Sequence, residues 1–466
     1  MSDLPGLCDA VLALVGGRAE AEVTASAGRS ALTRFANSNI HQNVAEDHHG
    51  VRLRLATDGR LAAASTDRID PEGLERLVEN TFAAARLRPR DERWPGLAPP
   101  GGGDAVAHHD PGAHYDPATH RAPAAERAEV VRAFVDAGPG LSAAGYCSSG
   151  GYEVFFANSA GRRVGGRTSH ATVDGIHRGP GTPRRSGTPL GGPVGPGTPE
   201  GPTADGSGWQ SSMRLSALDG AWAGATAAAK ARAGVGPIDL APGRYQVVLE
   251  PSCVADLLDF LVGYGFSAKA HAEGRSAVRL GEAQFDPAVN LADDAADDRA
   301  VSLTFDAEGT PRQRLQLVRD GVPTNLLHDR RTAPPAGTES TGHATPGGES
   351  YGPAPSTVVM AAGTHSAEKL IAGVDRGLLV TEFWYTRILD PKSQVVTGLT
   401  RNGVFLIERG EVAGAVANLR FTQSYADALA PGNVVAVGSD ARLRGTDAIV
   451  PSLHLASWNF TGGARG

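Results

Sequence analysis

The chain has 466 residues, with 44 Lys and Arg against 51 Asp and Glu, for a formal net charge of −7. Hydrophobic residues make up 41% and charged residues 20%, a globular mixture long enough for two or three domains. No basic block stands ready to neutralise a run of phosphates, and no window nears the ~20 apolar residues of a bilayer span, so nucleic-acid binding and membrane insertion are set aside.

The N-terminus opens with acid rather than base and carries only a short amphipathic apolar run, so no targeting segment is expected and the chain reads as cytoplasmic. Residues 30–44, SALTRFANSNIHQNV, read as a strand, an Asn-Ser turn and a second strand, because Asn tolerates the left-handed conformation of a tight turn. Val51 to Leu55 then alternates apolar residues with Arg, turns at Asp58-Gly59 and returns through Leu61. Apolar residues recurring at three and four predict helices over 70–86 and 123–137. Between them, 97–122 is Gly, Pro and polar residues, too poor in apolar side chains to offset the entropy of ordering. Its histidines, His108, His109, His114 and His120, read as solvated loop residues, with no framework to fix ligand geometry.

GYEVFFANSAGRRVG (151–165) repeats the Phe-Ala-Asn-Ser of the first hairpin, an echo that suggests internal duplication. Residues 178–208 are a second irregular insertion by composition. Residues 1–236 therefore read as an α+β domain with insertions at 97–122 and 178–208.

From 237 to 466 the texture becomes mainly antiparallel β with a few helices, so the fold class is α+β. Strand Tyr245–Leu249 feeds a helix at 251–264, where Val254, Leu257, Leu258, Leu261 and Val262 make an apolar stripe of helical period. Hairpins are expected at Asp320-Gly321, Asn402-Gly403 and Arg409-Gly410, and one more helix at 366–373. Phe383, Trp384 and Tyr385 read as core or subunit interface.

No phosphate-binding loop, dinucleotide fingerprint, nucleophile elbow or H-E-x-x-H occurs. Ser366-Ala-Glu-Lys369 matches S-x-x-K without its companion motifs, and Ser366 reads as a helix N-cap. The three cysteines, Cys8, Cys147 and Cys253, are too scattered for a disulfide framework or a Cys-rich zinc site. His271, Glu273 and Arg275 follow the 251–264 helix, and Glu339, Ser340 and His343 sit in a Gly-flanked turn. All six are candidates for substrate contact, with structural hydrogen bonding the commoner role for such residues.

Longer stretches carry a resemblance: GRSALTRFANSNIHQNV, EPSCVADLLDFLVGYGFSAKAHAEGRS, DRRTAPPAGTESTGHA, GVDRGLLVTEFWYTRILDPKSQVVTGLTRNGVFLIERGEV, NLRFTQSYADAL and SWNFTGG. Together they resemble the TldD/PmbA family, also described as modulators of DNA gyrase, and specifically its PmbA/TldE-type subunit. The resemblance implies a two-subunit zinc metallopeptidase in which the TldD-type subunit carries His-Glu-x-x-x-His on the helix matching 251–264. Laid on that pattern, Asp259 stands at the first His, Phe260 at the Glu and Tyr264 at the second His. Phe260 cannot take a proton, neutral Tyr is a poor zinc ligand, and no Cys follows Cys253 to supply the further ligand of the TldD type. The implied role is a zinc-free subunit with no cofactor of its own. It would pair with a TldD-type zinc-binding partner and hold an extended, unfolded or small peptide in a shared chamber. The alternatives are a homodimeric non-peptidase scaffold and a stand-alone enzyme of peptide natural-product maturation.

Overall fold

Two long strands, β1 (Glu20–Ala36) and β4 (Ser142–Asn158), pair antiparallel and form the middle of a six-stranded sheet. The computed structural model that shows this describes residues 3–101, 114–179 and 204–463. Outward from β1 lie β2 (Asn39–Thr57) and β3 (Arg60–Thr66); outward from β4 lie β5 (Arg163–Arg178) and β6 (Asp205–Ser212), giving the order β3-β2-β1-β4-β5-β6. Each half runs helix, three strands, helix: Leu4–Val15 and Pro71–Arg86 flank the first set, Ala124–Asp136 and Gly220–Ala233 the second. The halves mirror each other about the β1–β4 pair.

The repeated tetrapeptide has a specific job in that symmetry. Ser38 donates its backbone N–H to Ala143 O (2.9 Å), and its Oγ accepts from Ala143 N (3.0 Å). Ser159 does the same at the other end, donating to Ala21 O (2.9 Å) and accepting from Ala21 N (3.0 Å). Each turn serine closes the first rung of the other half's central strand. Ser38→Ala and Ser159→Ala are each expected to cost ~1 kcal/mol. The costs should add in the double variant, since the two sites share no partner. Urea unfolding of the four proteins checks this, and a strongly non-additive double variant would refute independent ends.

Strand pleating sends alternate side chains to opposite faces. Val23, Ala25, Val51, Leu53 and Leu55 bury against helices Leu4–Val15 and Pro71–Arg86. Ala143, Cys147, Ala171 and Val173 of the second half, joined by Phe35 from the end of β1, do so with Phe134, Ala223 and Ala227 of the second half's helices. The other face, carrying Glu22, Thr24, Arg52, Arg54, Tyr152 and Phe156, turns to the C-terminal half.

The structure corrects the reading of both irregular segments at their described ends. Residues 180–203 and 102–113, with His108 and His109, lie outside the described residues. What flanks them is packed. Residues 205–208 begin β6, where glycine serves close approach: a Cβ on Gly208 would fall 1.9 Å from Ala223 O, and on Gly206 2.3 Å from Ala227 O. The helix Gly220–Ala233 thus lies directly on β6. In the first segment Pro117–His120 is a short helix capped by the Asp116 carboxylate, Thr119 Oγ1 accepts from Leu215 N (2.7 Å), and His114 is buried beside Ser302 O. Low apolar content reflected tight packing here.

In the C-terminal half, helix Pro251–Gly265 lies at the heart of the largest core cluster, between two sheets. One sheet runs Val322–Pro323, Leu315–Arg319, Leu291–Asp293, Val358–Met360, Ala448–Val450, Arg442–Arg444. The other runs Phe383–Asp390, Val395–Thr400, Leu419–Ser424, Leu453–Gly463, Gly243–Leu249, Arg376–Val380, Val404–Glu408, Glu411–Ala415, with Val434–Val437 also on Leu453–Gly463. Both are antiparallel apart from one parallel pair in each. Asp320-Gly321 and Arg409-Gly410 close hairpins, with left-handed φ at all four residues. Asn402-Gly403 does not: its flanking strands pair with other neighbours, so the turn is a crossover within the sheet. Ser366 caps the helix Ala367–Ala372, accepting from Lys369 N (3.3 Å). Phe383 is buried, while Trp384 and Tyr385 are exposed. Among the described residues no helix is long and apolar enough to cross a membrane.

Candidate functional site

The open face of the N-terminal sheet meets the C-terminal half through two charged anchors. At one, Arg54 is nearly enclosed and bonds three carboxylates: Glu22 through Nε (2.5 Å), Glu349 through Nη1 (3.0 Å) and Glu308 through Nη2 (3.1 Å). Its guanidinium also sits 5.0 Å from the Trp94 ring centroid. At the other, Arg444 bonds Asp174 of β5 (2.7 Å), and both Arg442 and Arg444 lie over Trp209.

Between the anchors runs a cleft of about 480 Å³, within the range of ligand sites. Thr24, Arg52, Tyr152 and Phe156 form its sheet wall; Val301–Leu303, Phe305, Arg312 and Asp447 belong to the facing wall. No described residue accepts a hydrogen bond from the backbone N–H of Val301, Ser302 or Leu303. Asp306, also on the cleft, is spent on backbone: its carboxylate accepts from Glu308 N, Thr310 N and Ala344 N. Burial pushes the Tyr152 phenol up, with Arg312 pulling the other way.

The helix Pro251–Gly265 approaches this cleft from behind Asp447. It is α-helical throughout, so positions 259 and 264 point about 140° apart. Asp259 is solvent-exposed, and partial burial of its carboxyl with the like charge of Asp447 raises it above the usual carboxylate range. Phe260 and Tyr264 stack, centroids 6.2 Å apart with 8° between planes, and Phe260 meets Tyr425 edge-on. Asp256, one turn earlier, is pushed up to about 6 by burial and accepts from Thr386 Oγ1 (2.7 Å) and Tyr425 Oη (2.8 Å). One carboxylate, one stacked phenol and one stacked phenyl do not fit a zinc ion. Among the described residues no group of three His, Cys, Asp or Glu side chains is placed to hold a metal.

None of the six candidates of the 271–275 and 339–343 stretches lines the cleft. His271, Glu273 and Arg275 are exposed, and Glu273 ties Lys269 and Arg275 together, which uses the Arg275 fork. Glu339 is exposed; Ser340 Oγ donates to His328 O (3.3 Å). The fold brings His271 and His343 near His328, whose ring their charge would disfavour protonating, after burial as the main cause. His343 is sealed in the interior. Its Nε2 meets Asp293 Oδ1 (3.0 Å) and its Nδ1 meets Thr341 Oγ1 (2.8 Å). Asp293 further accepts from Ser356 Oγ (2.5 Å), Ser356 N (2.7 Å) and Thr357 N (3.2 Å). Burial pushes the Asp293 carboxyl up, but these bonds win and hold it below its ordinary value. His343 and Asp293 are themselves closed to solvent, and Ser356 alone of this network lines the cleft, so His343 is read as a structural residue.

The cleft residues Arg52, Tyr152 and Arg312 went unread in the sequence. One signal was present: arginines alternating with Val51, Leu53 and Leu55 must face away from the helices, onto whatever covers the second face.

Residues 242–462 match the family model described as PmbA/TldA metallopeptidase C-terminal domain, and 21–85 that described as PmbA/TldA metallopeptidase domain 1. Among curated proteins, a metalloprotease of Methanothermobacter thermautotrophicus is 29% identical over 212 residues, 43% of this chain and 44% of that protein. A metalloprotease TldD homolog of Haemophilus influenzae is 27% identical over 179 residues, 37% of each. The chain thus spans less than half the length of these relatives. Among solved structures, TldE of Thermococcus kodakarensis has a TM-score of 0.84 at 20% identity, covering 99% of this chain and 100% of that one. A modulator of DNA gyrase from Thermotoga maritima has 0.80 at 18%, covering 98% and 100%. At such identities these likenesses speak for the fold.

Proposed function

We infer a role from one premise: the chain belongs to the PmbA/TldD metallopeptidase family. It is a PmbA/TldE-type subunit that holds no zinc and binds peptide in the cleft between its halves. A TldD-type partner supplies the metal and the proton-accepting carboxylate. One observation carries this reading: a cleft of ligand size adjoins a helix whose metal-site positions hold Asp259, Phe260 and Tyr264, two of them engaged in ring stacking. The N–H groups of Val301–Leu303, from which no described residue accepts, are main-chain donors of the kind that hold an extended peptide without regard to its sequence. Of the candidates a stand-alone enzyme could use, His343 is buried and engaged on both ring nitrogens.

Purified alone, the chain is expected to carry no stoichiometric zinc and to leave unfolded peptides intact. Mixed with a TldD-type partner, it should form a stable complex whose cleavage is abolished by chelator. Installing Asp259→His, Phe260→Glu and Tyr264→His together should still give no activity in the isolated chain, because a regular helix splays positions 259 and 264. Elemental analysis and a peptidase assay with a chelator control decide it. About one tightly held zinc per chain, or chelator-sensitive cleavage by the unmodified chain alone, would overturn the subunit reading. A homodimer that ignores the partner would point to the scaffold.

A further inference from the structure

An arginine on a protein's ligand cleft is normally either neutralised by a carboxylate or kept for an anion. Arg54 is the first kind. Arg312, on the facing wall, is not: it forms no ion pair among the described residues. Among the described residues only Nε of its three nitrogens is engaged, donating to Phe305 O (3.3 Å), and Nη1 is sealed from water with no described partner. The carboxylates of Asp306 and Asp293 favour its charge through space but make no bond to it. Asp306 is occupied by three backbone N–H groups, and Asp293 by His343, Ser356 and Thr357. Arg52, on the sheet wall of the same cleft, also makes no ion pair among the described residues. With Nη1 sealed away, Nη2 is the Arg312 nitrogen open to the cleft, and since no described residue accepts from it, it favours arrival of an anionic oxygen.

We propose that Arg312, aided by Arg52 and with Tyr152 beside it, forms a carboxylate-binding subsite that takes the C-terminal carboxyl group of a bound peptide. This rests on the peptide-binding reading of the cleft and adds what end of the peptide is recognised. The geometry favours a carboxylate over a phosphate dianion, because Asp447 lines the same cleft and a doubly charged ligand would meet its repulsion. Recognition of the terminus is sequence-tolerant, since every unmodified peptide carries one.

The test measures binding of the full chain to three synthetic peptides of uncharged side chains by titration calorimetry: a free C-terminal acid, the same peptide as C-terminal amide, and the amide with one Glu. Amidation is expected to weaken binding roughly tenfold or more, the value of a charge-assisted bond withdrawn from water. Arg312→Gln should weaken the acid by a similar factor and leave the amide unchanged, while Arg312→Lys recovers part of the loss. If the Glu-bearing amide binds as well as the acid, the subsite takes a side-chain carboxylate, and recognition of the terminus is overturned. Equal binding of acid and amide by the unmodified chain would sink the subsite while leaving the peptide cleft standing; this comparison needs no variant to fold. Failure of all three to bind would remove the cleft reading and the subsite with it.

Discussion

Arg54→Ala should destabilise the protein by about 3–5 kcal/mol, the cost of stranding buried charge. Its removal leaves Glu22 and Glu308, both almost wholly enclosed, without their shared cation. The loss should grow with pH. Burial, followed by the charges of Asp306 and Glu22, pushes Glu308 up to about 7 even with Arg54 present, and Glu22 is raised as well, chiefly by burial. A carboxyl raised in the folded state adds stability at pH below its ordinary value and loses it as pH climbs through the folded one. For Glu308 that window runs from about 4.5 to about 7. Without Arg54 both carboxyls rise further, so the variant declines more steeply between pH 5 and 8. Comparing variant with wild type cancels the buried histidines, His177, His328 and His454, whose lowered values act in the opposite sense. Urea midpoints at pH 5, 6, 7 and 8 measure this; a cost that stays flat would show that the cluster is not proton-coupled.

Asp293→Ala is the second large effect, also about 3–5 kcal/mol. Four donors converge on this carboxylate, and alanine orphans all of them, those of His343 and Thr357 in a buried site. Ser356→Ala removes one donor and should cost ~1 kcal/mol. Because the folded Asp293 value is depressed, its contribution is present above the ordinary Asp range and lost as pH falls below it. Thermal melts with peptidase assays on the same samples separate roles. A stable Asp293→Ala protein would contradict the structural account, and selective loss of a chelator-insensitive activity would revive the enzyme reading.

How much of this was legible differed between elements for identifiable reasons. Pro71–Arg86 showed in the sequence because its buried residues Leu74, Leu77, Val78 and Phe82 recur at helical spacing behind an Asp70 cap. Gly220–Ala233 did not, being an alanine run with no polar face; its position is set by Gly206 and Gly208 across the contact. The Phe-Ala-Asn-Ser echo was visible, but its cause, a serine of each half bonding to the other half's strand, joins residues over a hundred positions apart. Asn402-Gly403 has the local chemistry of a hairpin, and only the sheet order reveals a crossover. In the site, the degenerate helix was legible because its segment is contiguous. The cleft was not, since Arg52 and Arg312 meet only when two halves close on each other.

Strand Leu453–Gly463 lies inside the nine-stranded sheet, with Gly243–Leu249 on one side and Leu419–Ser424 on the other. Its contact between His454 and Gln246 spans 208 residues. At about 5–20 residues per second, a ribosome needs roughly 10–40 s to make the later strand after the earlier one. Throughout that interval the helix Pro251–Gly265 has emerged with its apolar stripe uncovered, and the strands on either side of the gap have no common partner. The N-terminal sheet waits less: its longest strand pairing, Glu22 with Asn158, is closed well before the C-terminal half begins, and the covering helix follows β6 directly. Synthesis therefore delivers a finished first half tethered to a sticky, unfinished second one. Chaperone demand and truncation damage should concentrate in the half that closes late.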